Sequence, residues 1–346
     1  MKNIYVLYLL TFLSAQLLVT APRAAKQHTT IKKITLQSLN IMTLRPGAFA
    51  AHPKKHRHSI HDICKRINKH INHHVINTTV YGNDNYHVHV ASGVIPVEDK
   101  LIFVYAGGWA GRPGSAHYKV EGQGIYSAYV NQKTGVMPGV CVCFDHITHV
   151  RSQATFGQAP DQYCLQLVVQ EVRRVNPHAS IVLVGSCSGA MTVINFIAEH
   201  PEELQNVRAI ILESPSISIE RIEAHIMQSR FGKFGKNLPR FFKHYFSTYD
   251  PQALTILSTS CNIPYDIPIL IGAITHDKTA AYNDIEKIVT VLRESGHHHV
   301  HLYSTDESVR HGQLGKTEGW VAAIHEFLYT YNIMLHKEID ENEITR

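Results

Sequence analysis

The sequence is poor in acid where it is richest in base. Residues 26–75 hold ten Lys and Arg and eight His against one carboxylate, Asp62. Over all 346 residues there are 33 Lys+Arg, 28 Asp+Glu and 25 His, a formal charge of +5 with His neutral. A uniformly basic nucleic-acid binder would carry such a surplus along its length. Here it sits largely at the N-terminal end, which argues against nucleic acid as the main partner. No C-x-x-C pair occurs, so a zinc or thioredoxin-like reading has no support. No G-x-G-x-x-G run occurs, which argues against a dinucleotide site. There is no repeat period of the kind that builds a solenoid. Past the first 25 residues no apolar run is long enough to span a bilayer. At 44% hydrophobic the chain is too apolar to be disordered throughout. Its length suits one large domain or two small ones.

The N-terminus reads as a targeting segment. Met1-Lys2-Asn3 is a short positive start, and Ile4 to Val19 is mostly apolar. Small residues follow at Ala21, Ala24 and Ala25. That order predicts a secretory signal peptide over residues 1–25 and an exported, soluble mature protein. The alternative is an uncleaved membrane anchor. Export bears on the six cysteines, Cys64, Cys141, Cys143, Cys164, Cys187 and Cys261. Their even number permits disulfides, and their spacing specifies none.

Residues 26–74 form a basic, His-rich extension. Arg45 to Arg57 suggests a linker, and Ile60, Ile63, Ile67 and Ile71 predict a short amphipathic helix over Ser59 to His73. From residue 75 the pattern changes. Strands are expected at Val75–Val80, Tyr86–Ala91, Leu101–Tyr105, Val140–Phe144, Ile181–Val184, Val207–Leu212, Pro268–Ile271 and Val300–Tyr303. Helices are expected at Asp161–Val175, Gly189–Glu199, Tyr282–Glu294 and Thr317–Tyr331. Alternation of strands and helices implies an α/β fold with a mostly parallel central sheet and helices on both faces.

The most informative run is Ile181 to Met191, which reads I-V-L-V-G-S-C-S-G-A-M. A buried strand stops and a helix starts with almost no residues between them. Such a turn strains its central residue, and small residues two before and two after let strand and helix approach. Gly185 and Gly189 fill those places around Cys187. A sulfur at the apex would sit at a helix N-terminus, which favours thiolate. The competing readings are a phosphate-binding turn and a buried inert cysteine.

With these residues the sequence resembles the α/β-hydrolase family, from about residue 75 to 332. The usual serine is replaced by Cys187, as in dienelactone-hydrolase-like enzymes and polyester synthases with a G-x-C-x-G elbow. The resemblance implies a domain over 75–335, with a cap insertion at about 216–262 and a tail at 336–346. It implies Asp277, after the strand ending at Ile271, as the acid, and His311, before the last helix, as the base. Glu213 is the alternative acid and Asp306 a weaker one. His297, His298, His299 and His301 lie before or within a strand, which suits a solvated turn, with a weak metal site as the alternative. The family's oxyanion hole maps to the backbone N–H groups of Ser188 and Trp109, with Gly108 as the glycine of the turn.

The cap stretch Arg230 to Phe246 interleaves five basic with six aromatic residues and has no acid. It reads as a cap segment with an aromatic core face and a wet basic face; the alternative is a nucleic-acid or membrane-surface patch. The expected activity is hydrolysis of an ester or thioester of a small-molecule or acyl substrate through a Cys-His-Asp triad, with no metal or organic cofactor. The alternatives are acyl transfer through the same cysteine and a non-catalytic binding protein on the same scaffold.

Overall fold

The computed structural model describes residues 71–80, 84–93, 101–108, 140–144, 157–232, 255–259 and 262–333. The chain divides into units 1–50 and 51–346, and every described residue lies in the second. The expected leader, the linker, Trp109 and most of the stretch from Arg230 to Phe246 lie outside the described residues.

The elements run β1 (Ile71–Val80), β2 (Asp84–Gly93), β3 (Leu101–Ala106), β4 (Val140–Phe144), α1 (Ala159–Val175), β5 (Ser180–Ser186), α2 (Ser188–Glu199), β6 (Val207–Glu213), α3 (Ile219–Phe231), α4 (Ile256–Thr259), β7 (Ile269–Ile274), α5 (Tyr282–Glu294), β8 (Val300–Thr305) and α6 (Glu318–Thr330). The eight strands form one sheet in the order β1-β2-β4-β3-β5-β6-β7-β8. β1 and β2 form an antiparallel hairpin, and β2 runs antiparallel to β4. From β4 to β8 every neighbouring pair is parallel. One expectation fails here. Ile71, Asn72 and His73 were to close a helix and instead open β1, where they pair with Gly93, Ser92 and Ala91. The Ile spacing of a helix was real, but ladder bonds to β2 decide the ending. Asp84 already belongs to β2, where it pairs with Val80.

The central strands are apolar on both faces, as parallel strands covered by helices must be. Every residue of β3 and β7 is buried. Alternate residues serve opposite layers. Ile102, Val104, Ile181, Leu183, Ile210 and Ile271 pack with α1, α2 and α5. Phe103, Tyr105, Val182, Val184, Ile211 and Leu270 pack with α6 through Trp320, Ile324 and Leu328.

Capping side chains start two of the described helices. Thr317 Oγ1 accepts the Trp320 N–H at 3.3 Å ahead of α6, and Ser218 Oγ accepts the Arg221 N–H at 3.4 Å ahead of α3. Asp161 does not begin α1 as expected. It is the third residue, behind Ala159 and Pro160, and its carboxylate reaches back to accept the Gly157 N–H at 3.0 Å. Helix α2 has neither a capping side chain nor an acid in its first turn. Its support is burial, with Val193, Ile194, Phe196 and Ile197 all fully buried. Each such side chain is worth about 1.5–3 kcal/mol of transfer free energy. The N-terminus of α2 is thereby left open for another use.

Candidate active site

The C-terminal ends of the parallel strands converge on one edge, where open α/β sheets hold their ligands. β5 ends at Ser186, Cys187 follows with φ 56° and ψ −116°, and α2 begins at Ser188. A non-glycine residue in that region stores on the order of 1–3 kcal/mol and needs its surroundings to hold it. The Cys187 N–H donates to the Glu213 backbone oxygen at 2.9 Å, and the Cys187 oxygen accepts from Ala190 N at 3.0 Å. The flanking glycines leave room for the turn and nothing else. A Cβ on Gly185 would lie 2.5 Å from Ala190 Cα, and one on Gly189 would lie 2.6 Å from the Gly107 oxygen. Cys187 is partly exposed and carries a free thiol.

Asp277 lies three residues beyond β7 and His311 six beyond β8. Asp277 Oδ2 and His311 Nδ1 are 2.6 Å apart, with side chains 0% and 15% exposed. The other carboxylate oxygen, Oδ1, accepts the Thr279 N–H at 2.7 Å and the Ala280 N–H at 3.2 Å. Burial opposes the Asp277 charge; the His311 partner and these backbone donors outweigh it and lower the carboxyl pKa below its ordinary 3.8. Burial likewise opposes charge on His311. The charge of the Cys187 sulfur, then the Asp277 hydrogen bond, overcome it and hold the imidazole well above its ordinary 6.5. His311 Nε2 is buried without a hydrogen bond of full geometry.

Glu213, the rival acid, is drawn elsewhere. It ends β6, is fully buried, and Oε1 accepts the Trp320 indole N–H at 2.8 Å. Its backbone supports the elbow, but His311 Nδ1 pairs with Asp277. Asp306 is exposed. Ser188, buried in the first turn of α2, has a backbone N–H with no acceptor within the helix. Gly108 abuts the elbow: a Cβ there would lie 3.1 Å from both Cys187 Cβ and the Ser186 oxygen. The second expected donor, Trp109, lies outside the described residues.

The other histidines separate. His276, His298, His299 and His301 are exposed. His297 is a correction: it is buried against Tyr265, with ring centroids 5.0 Å apart, and not in a solvated turn. His225 was missed. It sits on α3 with Nε2 2.8 Å from the backbone oxygen of Asp277. Its one sequence signal is the four-residue spacing from Arg221, which places both on one helix face. Among the described residues no group of three or more His, Cys, Asp or Glu side chains is placed to hold a metal. No described helix is long and apolar enough to cross a membrane.

No family model matches the sequence, and no curated protein matches it significantly. Solved structures do match. An esterase of Pyrococcus furiosus superposes with a TM-score of 0.55 at 16% identity, covering 75% of this chain and 93% of its own. An acylaminoacyl peptidase of Pyrococcus horikoshii superposes with a TM-score of 0.52 at 14% identity, covering 82% of this chain and 45% of its own. At such low identity the likeness speaks for the backbone alone. Together with the strand order, the single hairpin edge and the strand-to-helix elbow, it establishes that this chain has the α/β-hydrolase fold.

Proposed function

We propose that the protein is a hydrolase that cleaves an ester or thioester through Cys187, His311 and Asp277. The observation that carries the reading is the strained cysteine at the head of α2 together with an imidazole that Asp277 orients at 2.6 Å and whose pKa its surroundings raise. The names of the similar structures, an esterase and an acylaminoacyl peptidase, agree with acyl-group chemistry.

In the proposed reaction the Cys187 thiolate adds to the substrate carbonyl, and the C=O electron pair moves to oxygen. The Ser188 N–H, with that of Trp109 as the expected partner, stabilises the oxyanion; such a donor is worth about 3–4 kcal/mol when removed. The tetrahedral species collapses, the bond to the leaving alcohol or thiol breaks, and His311 Nε2 delivers its proton to the departing atom. The acyl group stays on sulfur. His311, now neutral, takes a proton from water, and the resulting hydroxide displaces the sulfur and releases the acid. Asp277 keeps Nδ1–H in place throughout and stabilises the imidazolium. Export through a leader within residues 1–25 belongs to the same proposal and rests on the order of charged, apolar and small residues there.

The test is turnover of short p-nitrophenyl esters together with alkylation by iodoacetamide. Cys187 is expected to label faster than the other cysteines, and Cys187→Ala to abolish both rapid labelling and turnover. Equal labelling of all cysteines with undiminished turnover in Cys187→Ala would sink the proposal.

A further inference from the structure

Helix α3 opens the insertion between β6 and β7, and it grips the loop that carries Asp277 at both ends. Arg221 Nε donates to Asp284 Oδ2 at 3.0 Å and to Oδ1 at 3.2 Å, and its Nη2 also donates to Oδ1. Asp284 is buried in the first turn of α5. One turn further along α3, His225 Nε2 meets the Asp277 backbone oxygen at 2.8 Å. A carbonyl oxygen only accepts, so Nε2 is the donor and the proton is assigned by that partner. The i, i+4 spacing puts both contacts on one helix face. They bracket the stretch from Asp277 to Asp284.

The remaining polar atoms of Asp277 are satisfied from within its own loop or by His311. Its N–H donates to the Ile274 oxygen at 3.1 Å, Oδ1 takes two loop N–H groups, and Oδ2 meets His311. The backbone oxygen is where the insertion takes hold. A tether there fixes the tilt of the peptide plane after Asp277. That plane shares its Cα with the carboxylate, so its tilt sets the line along which Oδ2 reaches Nδ1. Groups that orient an acid or a ligand in this way govern its partner's geometry as firmly as direct contact does.

We infer that His225 is a positioning residue: through the Asp277 backbone oxygen it sets where the carboxylate meets His311, so the seating of the insertion on the core tunes the base. This rests on the reading of Cys187, His311 and Asp277 as a catalytic unit. Displacements well under the width of an atom at such a unit cost large factors in rate, whereas a residue that only packs would change stability and leave the chemistry alone.

The experiment compares wild type, His225→Phe, His225→Gln and Cys187→Ala in one p-nitrophenyl ester assay across pH, with thermal melts to verify folding. His225→Phe keeps the ring volume and loses the donor; His225→Gln keeps an N–H at a similar reach. The expected result is a fall in kcat of about tenfold for His225→Phe with KM within about twofold. The alkaline limb of kcat/KM moves down with it, and His225→Gln recovers most of both. Should His225→Phe fail to fold, His225→Asn replaces it, since its shorter amide cannot reach the carbonyl. Wild-type kcat and an unmoved limb in the variant lacking the donor would overturn the inference while Cys187→Ala is inactive. So would equal losses in the Phe and Gln variants with the limb unmoved, which is the mark of packing alone. Full turnover in Cys187→Ala would overturn the catalytic unit itself and the inference with it.

Discussion

At Cys187 a strained backbone conformation coincides with the proposed chemical role. The positive φ is imposed by a strand that must turn into a helix within one residue, and the flanking glycines are what the turn can tolerate. The pairing of His311 with Asp277 has a titration signature. In the proposed acylation the competent form has a thiolate and an imidazolium. The alkaline limb of kcat/KM is therefore expected well above pH 6.5, since the sulfur and Asp277 raise the imidazole pKa. Asp277→Asn removes part of that support, so the limb should move down and kcat should fall by about a hundredfold or more. A limb that stays in place in Asp277→Asn, read from a pH–rate profile, would assign the acid elsewhere. Glu213→Gln tests the contrast. It should keep activity within a few-fold, because the amide oxygen can still accept from Trp320. Glu213→Ala leaves the buried indole N–H unpaired and should cost about 1–3 kcal/mol in urea denaturation.

Among the elements, β5 and α2 were legible because their signals are local. A run of β-branched and apolar residues makes a buried strand, and glycines two either side of one residue make a tight elbow. Gly189→Ala is expected to be severely destabilising, by more than about 3 kcal/mol, because its methyl would meet backbone from the end of β3. A soluble Gly189→Ala protein with a wild-type melting temperature would mean that the strand end can retreat from the helix. Helix α3 was not foreseen, although Ser218 is an ordinary capping residue. Its basic and polar face reads as solvated until Asp284 and the Asp277 loop are placed under it. Arg221→Met leaves the buried Asp284 carboxylate without its partner. It should lower stability by about 1–2 kcal/mol, a modest figure because the guanidinium side of the pair is exposed. The helix expected over Ser59 to His73 failed at its end for a related reason. Spacing within a segment carries no information about a strand waiting alongside to pair with it.

For the whole molecule the Asp277–His311 pair links stability to pH. The His311 pKa is raised on folding, so its contribution is complete below about pH 6.5 and is lost as pH rises through the higher folded value. The Asp277 pKa is lowered, so its contribution is complete above about pH 3.9 and is lost as pH falls through the lower folded value. The stability difference between wild type and Asp277→Asn should therefore be greatest between about pH 4 and 6.5 and shrink on both sides. Calorimetric melts across pH check this, and a difference that does not vary with pH would contradict the linkage. The amino-acid sequence by itself determined the parallel order of buried strands and helices, the strained cysteine at the elbow, and the loops that carry an acid and a histidine. Those follow from periodicity and local sterics, which act over a few residues. Only the tertiary structure decided that Asp277 and not Glu213 meets His311, across 34 residues of chain, and that Glu213 is held by Trp320, 107 residues away. It alone buried His297 and brought His225 to the Asp277 carbonyl. In a chain with 25 histidines, residue type distinguishes none of them. Partner choice depends on which strand ends the sheet sets side by side, and that is settled when distant segments close on one core.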